Sequence, residues 1–131
     1  MIGIDTNILV RFLTADDKQQ YDLAVDLISK NQELFVSITV MMELEWVLRS
    51  AYKVKKDEIA KAFKGLLELE HLVFENELQL SQAITYYEGG LDFADAIHTL
   101  SAKSCDRFFT FDKKFVLNST GLTQVSVIEL K

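Results

Sequence analysis

A three-layer α/β/α fold around a central parallel sheet of four to five strands is what this sequence predicts, and three observations predict it. Short apolar-rich runs recur along the chain at residues 1–4, 34–38, 72–74, 107–111 and 125–128. The segments between them carry apolar residues at the i, i+3, i+4 spacing of amphipathic helices. Acidic residues stand where a run ends or a helix opens: Asp5 after 1–4, Glu43 beyond 34–38, Asp95 within 93–97 and Asp112 after 107–111. Strands that alternate with helices pair in parallel and are covered on both faces.

Taken in order, residues 1–4 form a first strand, wholly apolar apart from Gly3. Residues 6–13 follow as a helix with Ile8, Leu9, Phe12 and Leu13 on one side. Asp16 or Asp17 caps a second helix, in which Tyr21, Ala24, Leu27 and Ile28 hold the i, i+3, i+4, i+7 pattern. The strand at 34–38 leads into a helix over about 39–52. Asp57 caps the next helix, which runs to about Leu69 with Ile59, Ala60, Phe63, Leu66 and Leu67 inward. After the strand at 72–74, Asn76-Glu77-Leu78-Gln79 has the spacing of a capping box, so a helix runs to Tyr87 and stops at Gly89-Gly90. A helix over 92–104 and strands at 107–111 and 125–128 complete the chain. Cys105 and Trp46 read as core. The chain has no proline, so helix limits rest on glycine, Asx residues and periodicity.

At 131 residues the chain is expected to be one domain, 1–131, large enough to bury a core. An apolar content of 49% excludes a mainly disordered chain. No apolar run approaches the roughly 20 residues of a membrane span, and the N-terminus lacks a basic leader with a small-residue cleavage site. One cysteine permits no internal disulfide and fits a reducing cytoplasm. With only two histidines beside it, tetrahedral zinc is disfavoured, whereas a hard cation held by carboxylates remains open.

The net charge of −6 opposes the basic footprint usual for nucleic-acid binding. Divalent cations among the four acids would offset much of it. Residues 49–64 run against the overall balance, with Arg49, Lys53, Lys55, Lys56, Lys61 and Lys64 against Asp57 and Glu58. That stretch is either a solvated helical hairpin or a phosphate-facing patch.

Parallel strands bring their carboxyl ends to one edge, where α/β ligand sites form. Clustered carboxylates repel, so a pocket of them makes physical sense around a divalent cation. Each acid also has an ordinary explanation. Asp5 and Asp92 are natural N-caps, as Thr6 and Asn7 are natural helix-start residues. Glu43 in a first turn would complement the helix dipole, although Glu45 could do so from the outer face. Asp92 and Asp95 share a helix face, and Asp95 is boxed by Ala94, Ala96 and Ile97. Asp112 before Lys113-Lys114 could simply form a turn. His98 reads as a hydrogen-bonded, half-buried histidine. No Ser-His-Asp triad or glycine-rich phosphate loop is recognisable.

Four blocks in order, Asp5-Thr6-Asn7-Ile8-Leu9-Val10-Arg11, Glu43-Leu44-Glu45-Trp46-Val47-Leu48-Arg49-Ser50-Ala51-Tyr52, Asp92-Phe93-Ala94-Asp95-Ala96-Ile97-His98 and Thr110-Phe111-Asp112-Lys113-Lys114-Phe115, resemble the PIN-domain family of metal-dependent nucleases. Within it they resemble the toxins of VapC type. The resemblance implies a Mg²⁺- or Mn²⁺-dependent endoribonuclease with Asp5, Glu43, Asp95 and Asp112 as its acidic cluster. It further implies Asp92 as an accessory acid and metal ligand, Asn7 and Thr110 as supporting polar residues, a homodimer and a small antitoxin partner. In such a site the metal activates water for in-line attack on an RNA phosphodiester, leaving a 5′-phosphate and a 3′-hydroxyl. RNA processing without an antitoxin is the nearest alternative. A phosphatase of the haloacid dehalogenase type would need Asp-x-Asp, where Asn7 stands. A receiver-like module would need a phosphoacceptor aspartate, which Phe74-Glu75 does not offer.

Overall fold

The computed structural model describes residues 1–30 and 32–131, as two compact units, Met1–Glu77 and Leu78–Lys131. In the first unit, strands β1 (Ile2–Gly3), β2 (Leu34–Val36) and β3 (Leu72–Phe74) pair in parallel in the order β1-β2-β3. Ile2 stands opposite Leu34, and Val36 opposite Phe74. The connections are helical: α1 (Thr6–Thr14) and α2 (Lys18–Ser29) lie between β1 and β2, α3 (Ile38–Ser50) and α4 (Lys56–Leu67) between β2 and β3. Parallel strands need such crossovers, so the alternation read from the sequence and the parallel register are one fact seen twice. Helix α1 packs on α2 and α3, and α3 on α4. Leu9, Leu34, Met41, Leu44, Ile59 and Phe63 are among the fully buried side chains of this unit.

The second unit contains α5 (Glu77–Glu88, whose first residue closes the first unit), α6 (Phe93–Ser101), β4 (Arg107–Thr110), α7 (Lys113–Ser119) and β5 (Ser126–Glu129). β4 and β5 pair in parallel, Arg107 opposite Ser126 and Thr110 opposite Glu129, with α7 as the crossover packed on both. Tyr87 meets Phe93 edge-on at 5.5 Å, closing the α5–α6 corner, and Phe108 stacks at a tilt on Phe115 of α7 at 5.7 Å. The corner turns through Gly89-Gly90. Gly90 has φ +110, a conformation only glycine adopts freely, and a Cβ on Gly89 would stand 2.8 Å from Leu122 Cδ1. No helix among the described residues is long and apolar enough to cross a membrane.

The parallel α/β class holds, with five strands among the described residues in ladders of three and two. Several details differ. Asp17, not Asp16, caps α2, accepting from the Gln20 amide at 3.1 Å. The next helix begins two residues earlier than expected: Lys55 is the cap of α4 and Asp57 lies in its first turn, where it complements the dipole. Asn76 takes φ 66 at the end of β3 and so enters α5 from a left-handed turn. The helix predicted over 92–104 ends at Ser101, and α7 is an additional helix. Trp46 is 59% exposed and Cys105 exposed, whereas Glu45 is 3% exposed. The burial stripe of α3 runs Met41, Leu44, Glu45, Leu48, which turns Trp46 outward.

Candidate active site

In the first unit the site residues gather where β1 ends and α1 begins. Asp5 caps α1, its Oδ1 accepting from the Thr6 amide at 2.7 Å. The buried Thr6 donates its hydroxyl to Glu43 Oε1. Glu43 sits in the second turn of α3, not the first, and its carboxylate is exposed. One residue thus carries both acids, Asp5 on its amide and Glu43 on its hydroxyl. Each carboxylate keeps an oxygen outside these two bonds. The neighbouring strand ends also present polar groups: Ser37 caps α3, and Glu75 Oε1 accepts from the Ile38 amide at 2.9 Å.

Asp5, Thr6, Asn7 and Glu43 line one end of a groove of about 420 Å³ that continues past Val10, Val47 and Ala51 to Arg11 and Tyr52. Arg11 Nη1 donates to Asp16 at 2.9 Å and to the Tyr52 hydroxyl at 3.0 Å, and Tyr52 donates to Asp16 at 2.7 Å. The Tyr52 hydroxyl, foremost, and the Thr14 hydroxyl and Arg11 hold the Asp16 carboxyl below the usual range. This lock was not foreseen from the sequence. Its only trace there is that Arg11 and Tyr52 both fall inside the motif blocks.

In the second unit Asp92 caps α6, its Oδ2 accepting a long 3.4 Å bond from the Asp95 amide. Asp95 lies half-buried in the first turn. Burial raises its pKa above the ordinary carboxylate value, and the charges of Asp92 and Asp112 raise it further, against a smaller lowering by His98. Asp112 caps α7, its Oδ1 accepting from the amides of Lys114 at 2.9 Å and Phe115 at 3.2 Å. Its own amide donates to Thr110 Oγ1 at 3.0 Å. His98 is exposed rather than half-buried.

Among the described residues no three His, Cys, Asp or Glu side chains form a ready metal cage. The donor chemistry within each unit nevertheless fits a hard divalent cation: carboxylate oxygens, each with one atom fixed by a backbone or hydroxyl donor. Asp95 is raised first by its burial, with the charges of Asp92 and Asp112 adding to it.

The chain is thus a parallel α/β fold in which aspartates open α1, α6 and α7. The family model described as "PIN domain" matches residues 2–118, nearly the whole chain, and the protein belongs to that family. PIN domains are generally nucleases that act on RNA, typically with divalent metal ions. Neither the curated proteins nor the solved structures give a match to the chain.

Proposed function

We propose that the protein is a Mg²⁺- or Mn²⁺-dependent endoribonuclease, the toxin of a toxin–antitoxin pair, with Asp5, Glu43, Asp95 and Asp112 as its metal-holding and catalytic acids. Asp92 is an accessory ligand, and Asn7 and Thr110 are supporting groups. The observation that carries this reading is the attachment of Asp5 and Glu43, far apart in sequence, to the single residue Thr6. Two carboxylates anchored on one residue, each with an oxygen left over, make sense as cation ligands. The raised pKa of Asp95 beside Asp92 and Asp112 supports the same reading for the other acids.

A bound divalent cation supplies a water of lowered pKa and polarises a phosphoryl oxygen. The chain's own residues do the rest. Thr6 fixes the directions of Asp5 and Glu43, and the Thr110 hydroxyl fixes the loop that carries Asp112. Asn7, exposed beside Asp5, offers an amide to the substrate strand. The RNA is single-stranded at the cut, because only an unstacked segment can reach a groove of this size. The toxin role, a homodimer and a small antitoxin rest on the likeness of the four motif blocks to VapC-type toxins, one functional domain over 1–131 on the chain's length, and a cytoplasmic location on its single cysteine. An antitoxin arginine or lysine would satisfy the acids in place of metal.

Purified protein is expected to cut RNA internally with Mg²⁺ or Mn²⁺ and to stop in chelator, with Asp5→Asn or Asp95→Asn abolishing the cut. Its expression is expected to slow growth, and that of Asp5→Asn is not. Cleavage that persists in excess chelator would falsify the metal-nuclease reading, and growth arrest by the inactive variant would remove the toxin role.

A further inference from the structure

We infer that the groove from Asp5 and Glu43 to Arg11 and Tyr52 seats one unpaired ribonucleotide of the substrate beside the cleaved bond, and that its Arg11 end reads the base. The inference rests on the ribonuclease reading and adds to it a specificity site. The groove lies wholly in the first unit, walled by α1 through Thr6, Asn7, Val10 and Arg11 and by α3 through Glu43 and Val47, with Ala51 and Tyr52 beyond it. Its chemistry changes along its length. The Asp5 and Glu43 end is acidic, the Val10, Val47 and Ala51 stretch is apolar, and the far end is a guanidinium and a phenol. About 420 Å³ falls within the roughly 300–1,000 Å³ of small-ligand sites, enough for a nucleotide and too little for a duplex.

The far end is built to read a neutral edge rather than a phosphate. Arg11 is held by Gln20 through Nε at 2.6 Å and by Asp16 and Tyr52 through Nη1, so the guanidinium plane is fixed before any ligand arrives. Asp16 neutralises its charge at 2.9 Å, which removes the attraction a phosphate would need. Both Nη2 hydrogens remain as donors, and the Tyr52 oxygen, which donates to Asp16 and accepts from Arg11, keeps one lone pair. An uncharged hydrogen-bonding edge is what such a set recognises, and the apolar stretch beside it takes the flat of a base. The phosphate of the same nucleotide belongs at the acidic end, where a cation can meet it.

The alternative is that Arg11, Asp16 and Tyr52 only tie α1 to the end of α3. The two are separated with the four neutral ribonucleosides, which need no metal and carry no phosphate. In nuclear magnetic resonance titrations of the metal-free protein, saturable shifts are expected at the Val10, Val47 and Ala51 methyls. Ala51→Phe fills the groove from an exposed position without touching the lock, and is expected to weaken nucleoside binding roughly tenfold, the scale of one or two lost contacts. Arg11→Lys keeps the charge but loses the fork, and is expected to alter which nucleosides bind and which nucleotide flanks the cut. No groove shifts, or binding and cleavage preference unchanged in both variants, overturns the inference and returns the lock to a purely structural part. Nucleoside binding by a protein that cuts no RNA sinks the nuclease reading and leaves the groove as a nucleoside site. Cutting with no effect of either variant does the reverse.

Discussion

Thr6 is 4% exposed and has two hydrogen-bond donors, each spent on a different carboxylate. An aspartate that caps a helix uses one oxygen for the cap, so capping and metal holding are compatible roles, and Asp5, Asp92 and Asp112 are all caps. That compatibility is why single residues in the sequence could not decide the matter: cap and ligand make the same local pattern. Substituting the threonine separates them. Thr6→Val has nearly the same volume and leaves the amide bond to Asp5, but Glu43 loses its anchor. Cleavage is expected to fall by about 10–100-fold, the usual cost of an outer-shell partner at a metal site, while Thr6→Ser keeps most of the rate. Rates for both variants with Mg²⁺, set beside their melting curves, check this. A Thr6→Val rate equal to the wild type means that Glu43 needs no positioning.

Elements with long, clean periodicity were legible in the sequence. In α4 the stripe Ile59, Ala60, Phe63, Leu66 is buried as the spacing requires, and β3 spans the residues expected. Short or mixed elements were not. Helix α7 has seven residues and buries only Phe115 and Ser119, a single i, i+4 pair, so Asp112 looked like a turn residue when it is a cap. In α3, hydrophobicity suggested Trp46 inward, but the geometry of 41, 44, 45 and 48 puts Glu45 there instead. Glu45 is tolerated because Arg49, one turn on, donates from Nε at 2.7 Å. Arg49 is therefore spent on an ion pair, and the basic character of 49–64 rests on its lysines. Removing Arg49 leaves Glu45 without that partner. Arg49→Met is expected to cost about 1–3 kcal/mol, below the figure for a fully buried pair because Arg49 is partly solvated. Denaturant titration measures it. Addition of Glu45→Leu is expected to recover most of the loss, and failure to recover would mean that Glu45 matters through contacts other than the ion pair.

At the scale of the whole molecule, a chain of net charge −6 whose helices open on acids is expected to gain stability from a cation at the proposed site, which would couple metal binding to folding. Mn²⁺ is expected to raise the melting temperature of the wild type, by a linkage worth about 2.7 kcal/mol at one hundred times the dissociation constant. The pH dependence fixes the sign for Asp95. Its pKa is raised above the ordinary aspartate value, chiefly by burial, so the folded state holds the proton more tightly than the unfolded chain. Its contribution to stability is fully present below the unfolded value and lost as pH rises through the folded one. Near neutral pH the metal-free wild type therefore carries a penalty that Asp95→Asn escapes. The variant is expected to melt as high as the wild type or higher at pH 7 without metal, to lose that advantage in acid, and to gain little from Mn²⁺. Calorimetry of both proteins across that pH range, with and without millimolar Mn²⁺, tests the coupling. Had Asp95 been an ordinary first-turn residue, its substitution would lower stability by up to about 1 kcal/mol at neutral pH and the metal would change nothing. A wild-type melting temperature indifferent to Mn²⁺ would leave Asp5, Asp92 and Asp112 as helix caps and take the cation out of the site.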